Sequence, residues 1–370
     1  MGSATLGARG RQAAWGDRPP RPQPAREEFR VGLCVPLAGA SGIWGPSAIA
    51  CAELAVGELN IAHGLGGRRC RLVLVDASEA ALDVGATVKG LIDAGEVDAL
   101  VGMHTSLVRH RILRAAAGCV PFVYTPLYEG GETTPGVFAI GETPARTLRP
   151  AIAWTAERYR PRRWALVGND YVWPRVSHAL ARRYIRESGA EVVAERYVTL
   201  GTQDFAATLD EIRRVRADAV VMSLIGQDAV DFNRAFAAAG LQRRALRLST
   251  AVEENTLMAI GADNTEGLHV AAGYFSSLAT DDNLRFKERY ETRFGHRAPT
   301  LNTLGQSTYE GMYFLAQLCQ DWSGGGMADP RSGGEYPSAR GALYSRGGGC
   351  GAPAYLAQAQ GHAFEVLTTI

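Results

Sequence analysis

Short apolar runs alternate with helical stretches from residue 29 onward, and this alternation decides the fold class. The first of them are FRVGLCV at 29–35, PSAIACAELAVGELNI at 46–61, RLVLV at 71–75 and DALVGM at 98–103. The longest run places Ile49, Ala52 and Val56 at helical spacing, while the other three have the length and apolar character of buried strands. Strands and helices that alternate with short joints predict a parallel, doubly wound α/β sheet.

A second set of alternating elements predicts a second lobe of the same kind. Its candidate strands lie at 164–167, 191–198, 219–224, 246–249 and 267–274, with helices between them. Helices at 282–294 and 304–320 follow, and two short strands are expected at 354–357 and 364–367. The glycine-dense segment 321–352 is expected to be a loop or poorly ordered.

The predicted architecture is therefore two doubly wound, Rossmann-like α/β lobes joined by crossover strands, with a ligand cleft between them. We expect residues 29–143 plus 275–330 to form lobe 1, and residues 144–274 plus 331–370 to form lobe 2. Parallel sheets bind ligands at the carboxyl ends of their strands, so the residues that follow each strand are the candidates for a site.

Composition excludes several classes of protein. The chain has 370 residues, 46% of them apolar, and a formal net charge of +1. This balance argues against intrinsic disorder and against direct nucleic-acid binding, which needs a basic face. No run approaches the ~20 consecutive apolar residues of a membrane span, so membrane insertion is not expected.

Residues 1–28 are rich in Pro and Arg and are expected to form a disordered leader. They lack the apolar core of a secretory signal and an adjacent Arg-Arg pair, so a cytoplasmic location is expected for the chain as written. If the true start lies upstream, the expected location is the periplasm. The cysteines are scattered among apolar residues, and a Cys51–Cys70 disulfide is left open.

The chain lacks the sequence motifs of common enzyme classes. Neither of its two lysines, Lys89 and Lys287, precedes Ser or Thr, which excludes a P-loop. There is no Gly-x-Gly-x-x-Gly after the first strand, no Gly-x-Ser-x-Gly and no His-Glu-x-x-His. We therefore expect no catalytic residue, no bound metal and no cofactor.

Polar and aromatic side chains gather where the predicted strands end. Trp44 follows the first strand and can form a wall of a site or pack between helices. Thr105 and Ser106 follow the third strand and precede a helix, where they can cap the helix or hold a polar group beside free backbone N–H groups. The other ligand-binding candidates, from strand ends of both lobes, are His104, Tyr124, Thr125, Tyr171, Thr250, Glu253 and Glu254.

Several of these stretches together resemble a known family. They are residues 52–60, 64–68, 124–130, 168–175 and 273–277, with Ser106. Over about 29–320 the chain resembles the type I periplasmic-binding-protein family, the substrate-binding proteins of ABC transporters for branched-chain amino acids, amides and urea. It is most similar to the amide and urea branch, which includes the amide-sensing regulator of aliphatic amidase expression.

The resemblance implies roles for individual residues. Ser106 matches the serine that holds the polar head of the ligand, Tyr124 matches a pocket aromatic of the first lobe, and Tyr171 matches the tyrosine of the second. Residues 250–254 correspond to the second-lobe loop that reaches the ligand, and the position of His104 is often aromatic in the amide sensors.

The implied function is non-catalytic binding of short-chain amides, urea or branched-chain amino acids, with two lobes that close on the ligand. The implied partner is an ABC permease for a transport component, or a regulatory protein for a cytoplasmic sensor of amidase expression. A small-molecule amide hydrolase on the same architecture is the alternative. The oligomeric state, a homodimer included, is left open.

Overall fold

The first sheet contains the amino-terminal strands. The computed structural model describes residues 27–81, 83–320, 334–335, 338–340, 343–345, 349–350 and 353–370. The strands are β1 (Glu28–Val35), β2 (Arg69–Asp76), β3 (Ala99–Gly102), β4 (Phe122–Tyr124) and β5 (Val137–Ala139). They are all parallel, in the order β2-β1-β3-β4-β5. The helices between them are α1 (Gly45–Ile61), α2 (Val84–Asp93) and α3 (Ser106–Ala116).

The second sheet contains the central part of the chain and its carboxyl-terminal hairpin. The strands that follow in the chain are β6 (Arg163–Asn169), β7 (Glu191–Val198), β8 (Ala219–Ser223), β9 (Leu246–Ser249), β10 (Leu268–Ala272), β11 (Gly334–Glu335), β12 (Leu343–Ser345), β13 (Gly349–Cys350), β14 (Tyr355–Gln360) and β15 (Ala363–Thr369). The sheet order is β15-β14-β10-β9-β8-β6-β7, in which the pairs β15–β14 and β14–β10 are antiparallel and the other pairs are parallel. Strands β11 to β13 form a separate small sheet.

Helices complete both lobes. In chain order they are α4 (Leu148–Tyr159), α5 (Val172–Glu187), α6 (Ala206–Arg214), α7 (Gly226–Ala238), α8 (Glu254–Ile260), α9 (Asp281–Phe294) and α10 (Thr303–Gln320). All residues of β3, β4, β8 and β10 are buried, as in parallel sheets that helices cover on both faces. Helix α10 returns to the first sheet and packs closely on α1, because a Cβ at Gly305 would lie 2.2 Å from Ser47 Oγ.

The chain passes between the two sheets three times, after β5, after β10 and after α10. Arg340, on the third passage, is buried and forms ion pairs with Glu142, just after β5, and with Glu310 of α10. A Cβ at Gly273, just after β10, would lie 2.1 Å from Arg340 Nη1. One guanidinium group therefore touches all three passages.

The predicted architecture of two α/β lobes with parallel sheets is confirmed, and the bounds predicted for β7 and β9 are those observed. Strand β5 and helix α8 were not predicted, because three and seven residues are too few for a clear periodicity. The loop predicted over 321–352 is wrong where β11, β12 and β13 lie, since strands this short have no pattern that composition reveals. Of the rest of that segment the structure describes residues 338–340, and the other residues, like residues 1–26 of the predicted leader, lie outside the described residues. The leader predicted over 1–28 is wrong at Glu28, which begins β1.

Cys51 and Cys70, whose pairing the sequence leaves open, do not form a disulfide. Both are free thiols, and both are buried. Burial raises the pKa of the Cys70 thiol to about 12, because the charged thiolate would lose its solvation. Both residues are therefore packed as small hydrophobic groups.

Candidate functional site

A small cavity lies between the two sheets, where strands of both lobes end. Its empty space is about 300 Å³ when the part open to solvent is counted. Among the described residues that line it, none carries a carboxylate, an ammonium or a guanidinium group. The lining residues are Trp44, His104, Thr105, Ser106, Tyr124, Pro126, Leu127, Tyr171, Trp173, Ile225, Ala251 and Leu304.

The amino-terminal end of α3 forms one side of the cavity. Thr105 has the extended backbone of an N-cap residue, with φ −68° and ψ 155°, but its side chain makes no capping hydrogen bond. Its Oγ1 is buried and has no hydrogen-bond partner among the described residues. The first backbone N–H groups of α3, which lack partners within the helix, lie beside this free hydroxyl. This end of the helix can therefore donate to a polar ligand.

His104 is a neutral, buried side chain at the same end of the cavity. Its Nδ1 lies 3.1 Å from the carbonyl oxygen of Thr105, and a carbonyl can only accept, so Nδ1 carries the proton. Burial lowers the pKa of His104 to about 4, because the charged imidazolium would lose its solvation. Nε2 is therefore a lone-pair acceptor, and it is buried without a partner in the described part of the chain.

Aromatic rings from both lobes form the walls. The Tyr124 hydroxyl donates to the His104 carbonyl oxygen at 2.6 Å, so it cannot donate this proton to a ligand. Trp44 Nε1 donates to Glu253 Oε1 at 3.1 Å across the two lobes. Tyr171 and Trp173 supply the second lobe's rings, with centroids 6.3 Å apart. Flat apolar walls of this kind suit a small planar ligand.

A buried cluster of charges lies behind Ser106. The Ser106 hydroxyl donates to Glu129 Oε2 at 2.6 Å, and Arg109 Nη2 donates to Glu129 Oε1 at 2.5 Å. The Arg109 side chain is 2% exposed and lies 3.5 Å from a second carboxylate, that of Glu132. Its guanidinium also lies 5.0 Å from the centroid of the Tyr124 ring, within cation–π distance. One buried guanidinium thus lies between two carboxylates behind the cavity.

The two lobes are in contact around the cavity. The backbone N–H of Gln227, at the start of α7, donates to the carbonyl oxygen of Ala40, between β1 and α1, at 2.9 Å. Gly226 has φ +47°, and a Cβ there would lie 1.8 Å from the same carbonyl oxygen. Together with the hydrogen bond from Trp44 to Glu253, these contacts define a closed arrangement of the lobes.

A second small space adjoins the first on the side of the chain passages. It has about 280 Å³ of empty volume, again counting the part open to solvent. It shares Pro126, Leu127 and Leu304 with the first cavity, and Thr250 and Glu142 also line it. The two spaces are therefore neighbours, and Thr250 lies next to the cavity that contains Ser106.

The structure brings most of the predicted site residues together. Trp44, His104, Thr105, Ser106, Tyr124 and Tyr171 line the first cavity, and Thr250 lines the adjoining one. Lining residues that were not among the candidates are Pro126, Leu127, Trp173, Ile225, Ala251 and Leu304. All of these except Leu304 lie just beyond strand ends, so the rule that selected Ser106 could also have found them.

Three candidates line neither cavity, because each has a local structural role. Thr125 Oγ1 donates to the carbonyl oxygen of Gly102 at 3.4 Å. Glu253 is the N-cap of α8 and accepts from the backbone N–H of Asn255 and of Thr256. Glu254 accepts from the Ser276 N–H at 2.6 Å, and burial raises its pKa to about 7.

Within the described residues no helix combines the length and the apolar character needed to cross a bilayer. The same residues contain no group of three or more His, Cys, Asp and Glu side chains arranged to hold a metal ion.

Comparison with known proteins identifies the family. The family described as periplasmic binding protein matches residues 28–360. The chain is similar to the solute binding protein of an ABC transporter from Rhodopseudomonas palustris BisB5 in complex with 3,4-dihydroxybenzoic acid, with TM-score 0.80, 19% identity, and 93% of this chain and 98% of that chain covered. It is also similar to the branched-chain amino acid transporter substrate binding protein from Streptococcus pneumoniae in complex with isoleucine, with TM-score 0.76, 16% identity, and 93% and 99% covered.

These likenesses confirm the predicted type I periplasmic binding fold. At 16–19% identity, the likeness to solved structures shows the fold alone. The family match extends over most of the chain and shows the family. The chain therefore belongs to the periplasmic binding protein family.

Proposed function

We propose that this protein is the substrate-binding component of an ABC-type import system, and that its ligand is a small, uncharged compound of the amide or urea type. The observation that supports this is the uncharged lining of the closed cavity, which includes Thr105, whose buried Oγ1 has no partner in the described part of the chain. A buried polar atom without a partner costs roughly 1–3 kcal/mol. A ligand that satisfies this hydroxyl recovers that cost, which favours binding.

The lining argues against a charged ligand. An isolated charge in a dry site is far more costly than a hydrogen-bonded neutral group. Arg109 is already paired with Glu129, and the two carboxylates predicted to bind the ligand, Glu253 and Glu254, accept from backbone N–H groups outside the cavity. The ammonium of a branched-chain amino acid would therefore lack a counter-charge in the closed site.

The experiment that tests the proposal is a thermal-shift screen followed by calorimetry with acetamide, urea, isoleucine and benzoate. Acetamide or urea should stabilise the protein, by ~2.7 kcal/mol at a concentration of 100 times Kd. Stabilisation by isoleucine or benzoate alone would refute the ligand class. No response to any of the four would refute the binding role as proposed.

Two further measurements separate the proposed role from its alternatives. Fractionation of cells tests transport against cytoplasmic sensing, since a transport component belongs in the periplasm and a sensor in the cytoplasm. Incubation with acetamide and assay of released ammonia tests hydrolysis. We expect no turnover, because the Ser106 hydroxyl donates to the carboxylate of Glu129 and, within the described ranges of the chain, no imidazole base is hydrogen-bonded to it.

A further inference from the structure

We propose that Glu129 determines the ligand selectivity of this protein by fixing the direction of the hydrogen bond that Ser106 makes into the cavity. Glu129 lines neither of the two cavities, so it would act through Ser106, as a positioning residue. The inference rests on the proposed function and deepens it, because it states what chemistry the same cavity selects.

The Ser106 hydroxyl has a single proton, and the structure shows where that proton goes. Glu129 Oε2 accepts it at 2.6 Å, and a carboxylate is a stronger acceptor than a neutral oxygen. The neighbouring Tyr124 hydroxyl gives its own proton to the His104 carbonyl oxygen. Ser106 therefore presents only lone pairs to the cavity, and it can accept from a ligand but not donate to it.

Arg109 holds Glu129 in this acceptor role. Its Nη2 donates to Glu129 Oε1 at 2.5 Å, which leaves Oε2 for Ser106. The side chains of Arg109 and Glu129 are 2% and 8% exposed, so the pair is shielded from solvent. An ionised carboxylate has no proton to donate, and the direction of the hydrogen bond from Ser106 is thereby set.

An acceptor in the cavity matches a ligand that carries N–H donors. Acetamide and urea have such donors, whereas acetate has the size and shape of acetamide but presents only lone pairs, which the lone pairs of Ser106 would repel.

The test compares acetamide and acetate binding by calorimetry in the full-length protein, its Glu129→Gln variant and its Glu132→Gln variant. In Glu129→Gln the new amide NH₂ can donate to Ser106, which frees the Ser106 proton for the ligand. We expect the wild type to prefer acetamide over acetate by at least 100-fold. Glu129→Gln should lower that ratio at least tenfold, through weaker acetamide binding and stronger acetate binding.

Glu132→Gln is the matched control. Glu132 is as buried as Glu129 and contacts the same guanidinium at 3.5 Å, but no hydrogen bond joins it to Ser106 among the described residues. This variant should keep the ratio of affinities within twofold of the wild type. A purely structural role of Glu129 would weaken both ligands equally and leave the ratio unchanged.

The outcomes separate this inference from the proposed function. If the wild type binds acetamide but Glu129→Gln and Glu132→Gln have the same ratio, the inference is overturned and the proposed function stands. If the wild type binds neither acetamide nor urea, both are overturned. Should Glu129→Gln fail to fold, Ser106→Ala takes its place: loss of acetamide affinity with acetate affinity kept supports the inference, and equal losses overturn it.

Discussion

Replacing Gly226 with alanine is expected to prevent full closure of the two lobes. An alanine Cβ would lie 1.8 Å from the carbonyl oxygen of Ala40, whereas ordinary contact begins at about 3.4 Å. The lobes must therefore separate by about 1.6 Å there (3.4 − 1.8), which breaks the hydrogen bond from Gln227 to Ala40. That bond contributes about 1 kcal/mol.

The separation also exposes part of the ligand, which costs a further ~1–2 kcal/mol if some tens of Å² become wet. The total of roughly 2–3 kcal/mol corresponds to a loss of affinity of about 30- to 150-fold, since 1.4 kcal/mol is tenfold. Calorimetry with the ligand that binds the wild type measures this loss. Small-angle X-ray scattering should show compaction on ligand binding in the wild type and less compaction in the variant.

Gly240→Ala is the matched control, because Gly240 follows the same helix, has φ +69° and has no heavy atom within 4 Å of an added Cβ. Both variants carry the cost of a side chain at positive φ, ~1–2 kcal/mol, but only Gly226→Ala meets the other lobe. Equal affinities of the two variants would refute the reasoning.

Three further predictions concern the cavity, the chain passages and pH. Thr105→Val should weaken ligand binding tenfold or more without lowering the unfolding temperature, because the Thr105 hydroxyl has no protein partner in the described residues. A loss of affinity that comes with an equal loss in the free energy of unfolding would contradict this. Arg340→Met should lower the free energy of unfolding by about 3–5 kcal/mol in urea titrations, because it leaves the buried Glu310 without its cation, and a loss below 1 kcal/mol would count against the ion pair. Burial raises the pKa of Glu254 from 4.5 to about 7. The folded state therefore binds the Glu254 proton more tightly than the unfolded chain does. The free energy of unfolding consequently falls by ~3 kcal/mol as the pH rises between these two values. Glu254→Gln should therefore melt higher than the wild type at pH 8 but not at pH 4, and a difference that does not change with pH would contradict the assignment.

Much of the fold could be predicted because its signals are local. Buried parallel strands are short apolar runs, and the helices between them show apolar spacing, so strands such as β7 and β9 have clear limits in the sequence. The site was partly predictable for a related reason. Parallel strands end at one edge, so Trp44, Ser106 and Tyr124 are expected to meet in any fold of this class, and they do.

The rest depends on contacts that no local pattern reveals. The seven residues of α8 are too few for a visible period, so the role of Glu253 as the N-cap of this helix could not be predicted. Arg109 and Glu129 are 20 residues apart, and an arginine on a helix is usually exposed, so nothing in the sequence indicated that the two are buried together. The direction of the hydrogen bond from Ser106 follows from that pairing.

The ion pairs of Arg340 constrain how the protein can open. Pulling a buried guanidinium away from Glu142 and Glu310 would leave charges in a poorly solvating interior, which costs several kcal/mol. Motion that keeps these pairs intact must pivot near Arg340. The gap for an entering solute would then widen with distance from this pivot, so that small rotations suffice to admit it at the edge marked by Ala40 and Gln227.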